Sequence, residues 1–261
     1  MTTAQFRFFG QLNDFLPSER RKIIFSHSVK GNPSIKDTLE ALGVPHTEID
    51  YILINGRAAD FSYQLQEGDK VFVYPDGYKF KDGRAKRLRP QLPRNFKFVI
   101  DSHLGKLARH LRLLGFDVLY KKIFPDAEIV KISVNQKRIV LTRDIGLLKN
   151  KLIQHGFWLR SIDPQKQLKE VLKRFKLYKK LKPFSRCLEC NGKIIKIAKK
   201  KVFAQLPPQV REYYQRFYLC QSCQKIYWQG SHYEYLLKLV NRIRSRAKSG
   251  TDPFAGSVPA P

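Results

Sequence analysis

The sequence is short of acidic residues, of cysteines and of long apolar runs. Asp and Glu number 22 against 50 Lys and Arg, which gives a formal net charge of +28 over 261 residues. No stretch approaches the roughly 20 consecutive apolar residues that a transmembrane helix requires. The N-terminus lacks the charged and apolar segments of a signal peptide. We therefore expect a cytoplasmic protein that makes no membrane contact.

The excess of positive charge is confined to one part of the chain. Residues 1–76 have a net charge of −2, whereas residues 77–261 have a net charge of +30. Such a field attracts polyanions and accelerates their association, so RNA or another nucleic acid is the predicted partner. Residues 77–95 hold seven Lys and Arg, one acid and two prolines. They are predicted to be a basic linker, either flexible or lying along a phosphate backbone.

Residues 1–76 are predicted to form a ubiquitin-like β-grasp domain. Strands and one helix follow each other in the order ββαββ, at residues 4–10, 22–29, 34–42 (the helix), 51–54 and 70–74. Ser34 is a suitable N-cap for the helix, and Gly43 is a suitable stop. This order resembles ubiquitin and the sulfur carriers of thiamin and molybdopterin synthesis. Because the chain continues after the last strand without a free Gly-Gly end, we interpret the domain as an adaptor for a partner protein or as an RNA-positioning module.

Residues 96–183 alternate predicted strands with predicted helices. The strands are 96–101, 117–122, 138–144 and 157–163, and the helices are 104–114, 126–135, 145–155 and 165–175. Repeated βα units favour an α/β domain with a parallel sheet and right-handed crossovers. Residues 237–261 begin basic and end rich in Gly, Ser, Pro and Ala, so this tail is predicted to be disordered beyond about residue 247.

Acidic side chains follow the predicted strands, at the edge where parallel α/β sheets bind ligands. Asp101, Asp144 and Asp163 end three of the strands, and Asp126 and Glu128 stand at the start of a helix. Clustered carboxylates repel one another unless a cation compensates, and a hard divalent ion with oxygen ligands is the natural compensation. Mg²⁺ or Mn²⁺ held in this way activates water and stabilises charge on a phosphate. The five acids are therefore candidates for catalysis, with Asp101 and Asp144 as the metal ligands.

Three basic residues lie beside these acids in the sequence: Lys106, Arg109 and Arg143. They are candidates for binding the phosphates of a substrate. A purely structural role is the alternative for the acids, because Asp126 and Asp163 are suitable helix N-caps and an acid at a helix start favours the helix dipole.

Residues 184–236 contain all four cysteines, as the pairs Cys187-x-x-Cys190 and Cys220-x-x-Cys223. Two such pairs complete a tetrahedral zinc site, and four protein thiolates leave no open coordination position, so we predict a zinc ribbon with structural zinc. Redox-active or disulfide-bonded pairs are the alternative. Residues 193–201 and 209–218 are predicted to supply the strands of the ribbon and a short crossover. Its interleaved basic and aromatic residues suit single-stranded RNA, although the aromatic residues equally suit a small core.

Several segments resemble the Mut-seven C-terminal RNase family. They are residues 98–101, 104–109, 111–117, 139–144, 184–192 and 227–232. The resemblance covers roughly residues 96–235 and implies a PIN-like nuclease fold, in which Asp101 and Asp144 match family acidic positions and Asp126 and Glu128 fall in an acidic patch. Residues 1–76 resemble the ubiquitin-like domain that precedes this RNase domain in some members.

The chain departs from the family pattern at a few positions, which bear on substrate preference more than on the metal site. Ala127 leaves the acidic patch with fewer acids than is common in the family. His110 stands where the family often has an aromatic residue, and Ser102-His103 differs from the family's usual residue pair. The function favoured by the sequence is a metal-dependent ribonuclease that hydrolyses RNA phosphodiester bonds. The alternative is a non-catalytic RNA- or ribosome-associated protein of the same fold, which would not need clustered acids beside its RNA surface.

Overall fold

The structure, a computed structural model, describes residues 1–78, 80 and 87–248. The chain divides into two compact units. The first compact unit contains Met1–Asn95 and Pro125–Trp158, and the second contains Phe96–Phe124 and the described residues from 159 to 248. The tail predicted to be disordered beyond residue 247 lies outside the described residues, apart from its first position. No helix in the described ranges has both the length and the apolarity to cross a bilayer.

The first compact unit begins with a five-stranded sheet in the order β2-β1-β5-β3-β4. The strands and the one helix are β1 (Thr2–Phe8), β2 (Phe25–Val29), α1 (Ile35–Ala41), β3 (Ile49–Ile54), β4 (Arg57–Ala59) and β5 (Lys70–Pro75). Strands β1 and β5 pair in parallel, and the other pairs are antiparallel. This is the predicted β-grasp architecture, with β4 as one strand more than the predicted ββαββ order. It folds back on β3 through Asn55-Gly56, which both adopt positive φ.

Helix α1 starts and ends where the sequence predicts. The Ser34 side chain accepts a hydrogen bond from the backbone N–H of Asp37 at 3.1 Å and donates one to the Asp37 carboxylate at 2.6 Å. This reciprocal pair satisfies an N–H group that a helix start leaves unpaired. The helix ends at Gly43, whose φ of +100° favours glycine. The buried face of α1 packs into an apolar core with residues of the sheet, including Phe6, Ile52 and Val71.

The first compact unit also contains a βα segment from the second half of the chain. It consists of α3 (Asp126–Asn135), β8 (Ile139–Thr142), α4 (Ile145–Leu148) and β9 (Gly156–Trp158), and β8 pairs with β9 in parallel. The prediction of a helix over 145–155 is wrong beyond residue 148. Asn150 turns the chain there, because its side chain accepts from the N–H of Leu152 at 3.1 Å and its carbonyl accepts from the N–H of Ile153 at 3.0 Å.

The β-grasp domain packs against β9 through a 3₁₀ turn at His46–Glu48. Glu48 is fully buried, and its Oε1 accepts a hydrogen bond from the backbone N–H of Trp158 at 2.8 Å. The ring centroids of Phe15 and Trp158 are 4.8 Å apart. A Cβ on Gly156 would come within 2.5 Å of a Leu148 methyl group, so a larger residue at the start of β9 would displace the Leu148 side chain.

Two arginines of the segment interpreted as a linker are fixed to the β-grasp domain. Arg87 and Arg89 both form ion pairs with Asp50, which is 1% exposed. Arg89 also donates to the carbonyl of Thr47 at 2.7 Å, and the N–H of Leu88 donates to the carbonyl of Asp50 at 2.8 Å. These residues therefore satisfy a buried acid. The expectation of flexibility for residues 79 and 81–86 lies outside the described residues.

The second compact unit begins with a parallel βα unit that supports the first acidic candidate. It comprises β6 (Lys97–Ile100), α2 (Gly105–Leu113), β7 (Asp117–Tyr120) and α5 (Pro164–Arg174), and β6 pairs with β7 in parallel. A 3₁₀ turn, Ser102–Leu104, joins β6 to α2. The hydroxyl of Tyr120 donates to the carbonyl of Ser102 at 3.0 Å. A Cβ on Gly105 would lie 2.6 Å from that hydroxyl, so a larger residue here would displace the Tyr120 ring.

The rest of the second compact unit is a three-stranded antiparallel ribbon followed by a long helix. The elements are β10 (Ile194–Ile197), α6 (Lys199–Val202), α7 (Pro208–Tyr213), β11 (Phe217–Cys220), β12 (Ile226–Trp228) and α8 (Ser231–Lys248). Residues 193–201 and 209–218 contribute to β10 and β11, as predicted, and the connection between these strands contains the short helices α6 and α7. Pro208 suits the first turn of a helix, and Val210 packs on a small core of Val202, Leu206 and Phe217.

Helix α8 replaces much of the basic tail that the sequence predicted from residue 237. Val240 is fully buried, and Tyr233, Leu236 and Val240 follow helical spacing. The helical spacing of these apolar residues is hard to recognise in the sequence, because Lys and Arg occupy many of the other positions of the same helix.

Candidate functional site

The four cysteines meet at one point of the second compact unit. Their sulfur atoms all lie within 4.8 Å of one another, and in the described part of the chain no other group of three or more His, Cys, Asp or Glu residues meets this criterion. The Cys187 and Cys223 sulfurs are 3.6 Å apart, and those of Cys190 and Cys220 are 3.4 Å apart. These distances exceed the roughly 2 Å of a disulfide. They approach the about 3.8 Å expected between thiolates that surround zinc at about 2.3 Å in a tetrahedron.

The backbone of each C-x-x-C pair turns in the same way. The residue after the second cysteine has positive φ in both, at Asn191 (+69°) and at Gln224 (+59°). Backbone N–H groups point at the sulfurs, since the N–H of Cys190 donates to Cys187 Sγ at 3.5 Å and that of Gly192 donates to Cys190 Sγ at 3.4 Å. A Cβ on Gly192 would lie 2.7 Å from Cys220 Sγ. The two turns therefore form a paired cradle with room for the four sulfurs.

The surroundings of the sulfurs shift their acidity in different directions. Burial raises the pKa of the Cys187 thiol, but hydrogen bonds from the Cys190 N–H and the Tyr227 hydroxyl outweigh it and lower the pKa to about 6. Burial and the neighbouring sulfurs raise the pKa of Cys223 to about 12. The donor set of four close sulfurs therefore fits a thiophilic cation, because a cation removes the mutual repulsion that opposes ionising all four.

A buried arginine attaches this cluster to α2. Arg112 is 4% exposed and donates to three backbone carbonyls: that of Val118 at 3.0 and 3.1 Å, that of Leu188 at 3.0 Å and that of Glu189 at 2.6 Å. Leu188 and Glu189 are the two residues between Cys187 and Cys190. Burial lowers the pKa of Arg112, and the nearby Cys187 and Cys190 sulfurs oppose that effect.

A second bridge joins the same turn to β7. The Asn191 side chain accepts from the N–H of Val118 at 2.9 Å and donates to the Asp117 carboxylate at 2.9 Å, and Arg186 lies 3.4 Å from the same carboxylate. Just before the same end of β7, a Cβ on Gly115 would come 2.2 Å from the carbonyl of Lys182. The spacing of the cysteines is visible in the sequence, but these anchoring residues are not, because their partners lie about 70 residues away in the chain.

The second compact unit holds two of the five acidic candidates. Asp101 directly follows β6 and is 8% exposed. Its carboxylate accepts from the hydroxyl of Ser102 at 3.2 Å, and its carbonyl accepts from the N–H of Leu104 at 3.0 Å. Asp163 is exposed and is the N-cap of α5, where its carboxylate accepts from the N–H of Lys166 at 2.8 Å. The capping role considered for Asp163 is therefore present.

The first compact unit holds the other three acids. Asp126 and Glu128 occupy the first turn of α3, whose N-cap is Pro125, so the capping role considered for Asp126 is not found. Asp144 follows β8 and caps α4, since its Oδ1 accepts from the N–H of Gly146 at 2.6 Å. Within each unit taken alone, the described acids form no group of three ligand atoms within 4.8 Å.

The three basic candidates have different surroundings. Arg109 lies 3.4 Å from the Glu189 carboxylate, and Lys225 lies 3.4 Å from the same oxygen. Lys106 lines a small cavity of about 170 Å³ together with Arg109 and His110. Arg143 lies in the first compact unit, where its carbonyl accepts from the indole N–H of Trp158 at 3.1 Å.

A larger cavity of about 820 Å³ opens between the ribbon, α2, α7 and α8. Aromatic and basic side chains line it, among them Arg109, Lys196, Tyr218, Trp228 and Tyr233. The interleaving of these residue types in the ribbon is visible in the sequence. The position of α8 beside them is not, because the basic composition of that segment favours a tail.

The fold and the cysteine cluster define a class of protein in which a β-grasp domain precedes parallel α/β units and a four-cysteine ribbon. Residues 96–240 match the family described as the Mut7-C RNAse domain, and residues 1–81 match the family described as Mut7-C ubiquitin. Because the first match covers more than half of the chain, this protein belongs to the Mut7-C RNAse domain family. The resemblance stated from the sequence is confirmed.

Comparisons with individual proteins find matches to less than a third of the chain. No curated protein matches the chain. One solved structure, the small archaeal modifier protein 1 of H. volcanii, is 20% identical with a TM-score of 0.24, and the match covers 29% of this chain and 98% of that chain. Another, SAMP1 from Haloferax volcanii, is 19% identical with a TM-score of 0.24, and the match covers 30% of this chain and 99% of that chain.

Proposed function

We propose that this protein is a metal-dependent ribonuclease, which hydrolyses RNA phosphodiester bonds with Mg²⁺ or Mn²⁺ bound to carboxylates. The observation that carries the proposal is Asp101, a buried carboxylate directly after a parallel strand in a chain of an RNAse domain family. Burying a carboxylate is costly unless cations or hydrogen bonds compensate. The carboxyl ends of parallel strands are also where α/β folds bind ligands.

Asp101 and Asp144 are the proposed ligands of the divalent ion, with Asp126, Glu128 and Asp163 as further candidates. Carboxylate oxygens are the donors that Mg²⁺ and Mn²⁺ prefer. The capping bond of Asp144 does not conflict with this role, since a carboxylate offers about four acceptor positions. The bound ion supplies an activated water and stabilises negative charge on the phosphate.

The basic candidates have the complementary role of binding the polymer. We propose that Lys106, Arg109 and Arg143 contact substrate phosphates, which orients the chain and carries no sequence preference. Zinc in the four-cysteine site is proposed to be structural, because four thiolates leave no position for a reacting water. A cytoplasmic location and an adaptor or RNA-positioning role for the β-grasp domain stay predictions.

The test is RNA cleavage by full-length protein, with Mn²⁺ or Mg²⁺ and with both omitted. Asp101→Asn and Asp144→Asn each remove a charge while keeping shape, and we expect loss of cleavage with RNA binding retained or slightly tighter. Asp126→Asn and Glu128→Gln should weaken cleavage, and Asp163→Asn should have the least effect. Asp60→Asn is the matched control, because the exposed Asp60 also accepts from the N–H two residues ahead. A folded Asp101→Asn protein that cleaves at the wild-type rate would refute the carboxylate mechanism.

The second candidate function is a non-catalytic RNA-binding protein. It is favoured by the capping bonds of Asp144 and Asp163, which give these acids a structural role without any metal. On this alternative the loss of a cap costs about 1 kcal/mol of stability and changes no turnover. Thermal melting of each variant, measured beside cleavage, distinguishes the two functions.

A further inference from the structure

The ribbon sheet lines the 820 Å³ cavity from both of its faces: Lys196, Tyr218 and Tyr227 come from one face, and Ile226 and Trp228 come from the other. Lys196, Tyr218 and Tyr227 are directly opposite one another on β10, β11 and β12, so they form a single row across the sheet. Neighbouring residues alternate between the two faces of a strand. The adjacent row, Ile197, Phe217 and Trp228, belongs to the small core on the other face. The row with two tyrosines and a lysine is therefore not required for that core.

Further aromatic side chains stand around this row. The rings of Phe184 and Tyr233 lie 4.7 Å apart and both line the cavity. Tyr213, on α7, also lines it and is 73% exposed, which is unusual for a large aromatic side chain. The volume falls within the about 300–1,000 Å³ that small-molecule and nucleotide-sized sites typically have.

The charge of the lining is positive. Arg109, Arg186, Lys196 and Lys225 line the cavity, and Glu189 is the one acid among its lining residues. Glu189 lies between Arg109 and Lys225, 3.4 Å from each. An anion could replace it as the partner of both cations. Flat aromatic faces beside paired cations fit a ligand with planar rings and phosphates, whereas an apolar peptide would not use the cations.

We propose that this cavity binds single-stranded RNA, with unpaired bases stacked on Tyr218 and its neighbours and phosphates held by Lys196, Arg109 and Lys225. Stacking on aromatic side chains requires bases that are not already paired in a duplex. The choice of RNA rests on the proposed ribonuclease function. The binding site itself rests on the register, charge and volume of the ribbon face.

The experiment measures binding of a short fluorescent single-stranded RNA to the full-length, zinc-loaded protein by anisotropy, without added Mg²⁺ or Mn²⁺. We expect Tyr218→Ala to weaken binding about tenfold, the loss of one stacked base. Tyr218→Phe should stay near wild type because the ring remains. Tyr235→Ala is the control, because Tyr235 is 66% exposed on α8 but does not line the cavity. Glu189→Gln should tighten binding, since it releases Arg109 and Lys225 for phosphate.

Two further measurements test whether the RNA binds at the ribbon. The zinc content and melting temperature of Tyr218→Ala must match wild type, and a 4-thiouridine RNA should crosslink to peptides of β11, β12 or α8. Crosslinks confined to other segments would overturn the proposed site. The same holds if wild type and Tyr218→Ala bind RNA equally well and neither distinguishes a single strand from a duplex. Absent cleavage with intact Tyr218-dependent binding refutes only the ribonuclease. Cleavage by a Tyr218→Ala protein that binds normally refutes only the cavity.

Discussion

Replacing Arg112 should destabilise the protein far more than replacing Arg109, which forms a surface ion pair on the same helix. Arg112→Met keeps most of the apolar stem but removes every donor to the carbonyls of Val118, Leu188 and Glu189. A hydrogen bond from a charged donor contributes about 1.5–3 kcal/mol, and an unsatisfied buried acceptor costs about 1–3 kcal/mol. Since solvent can reach some of these carbonyls after the change, we expect a loss of about 3–5 kcal/mol in the free energy of unfolding.

The matched control is Arg109→Met, one turn earlier on α2. Arg109 is half-exposed, and its ion pair with Glu189 is solvent-screened, so the change should cost less than about 1 kcal/mol. The assay is thermal melting of both variants, where about 3 kcal/mol corresponds to roughly 6–12 °C in a protein of this size. Arg112→Met should also release zinc faster to a chromogenic chelator, because two of its acceptors lie within the first C-x-x-C turn. Equal melting temperatures for the two variants would refute the anchoring role.

Two other predictions concern the metal and His110. Metal analysis should find about one zinc per chain. The Cys190→Ser variant should bind no zinc and should have a lower melting temperature. A folded wild-type protein without zinc would contradict the zinc site. Burial, with Arg109 and Lys106 nearby, lowers the pKa of His110 below 6.5. Its stabilising contribution is therefore fully present above pH 6.5 and is lost as the pH falls through the lowered value. His110→Phe should have a shallower loss of stability between neutral and mildly acidic pH, and an unchanged slope would show that His110 does not contribute to it.

Features specified by neighbouring residues could be predicted from the sequence. The C-x-x-C spacing places two sulfurs on one turn whatever the rest of the chain does, and Ser34 caps α1 through bonds that span three residues. The parallel βα units also follow from local patterns, since hydrophobic segments and glycine stops recur along residues 96–183. In each case the interacting groups are close in sequence, so the pattern contains both partners.

Features that depend on distant partners could not be predicted in the same way. Glu48 is an ordinary acid in the sequence, yet its Oε1 accepts a hydrogen bond from the backbone N–H of Trp158, 110 residues away. Arg87 and Arg89 belong to a basic stretch that favours a linker, yet they neutralise the buried Asp50. Composition describes how many charges a segment has. It does not show which of them a buried group on another element will bind.

Helix α2 connects the two functional proposals within the second compact unit. Asp101 precedes its N-terminal end, and Arg109 lies four residues after its first residue, about 6 Å along the axis. Arg109 lines the proposed RNA cavity, while Arg112, three residues further, fixes the cysteine turn that forms part of its wall. One short rigid element therefore determines the separation between the buried carboxylate and the edge of the cavity. RNA bound in the cavity would approach Asp101 at a distance set by this helix, so the anchoring of the ribbon by Arg112 should affect where the RNA is cut as well as how stable the protein is.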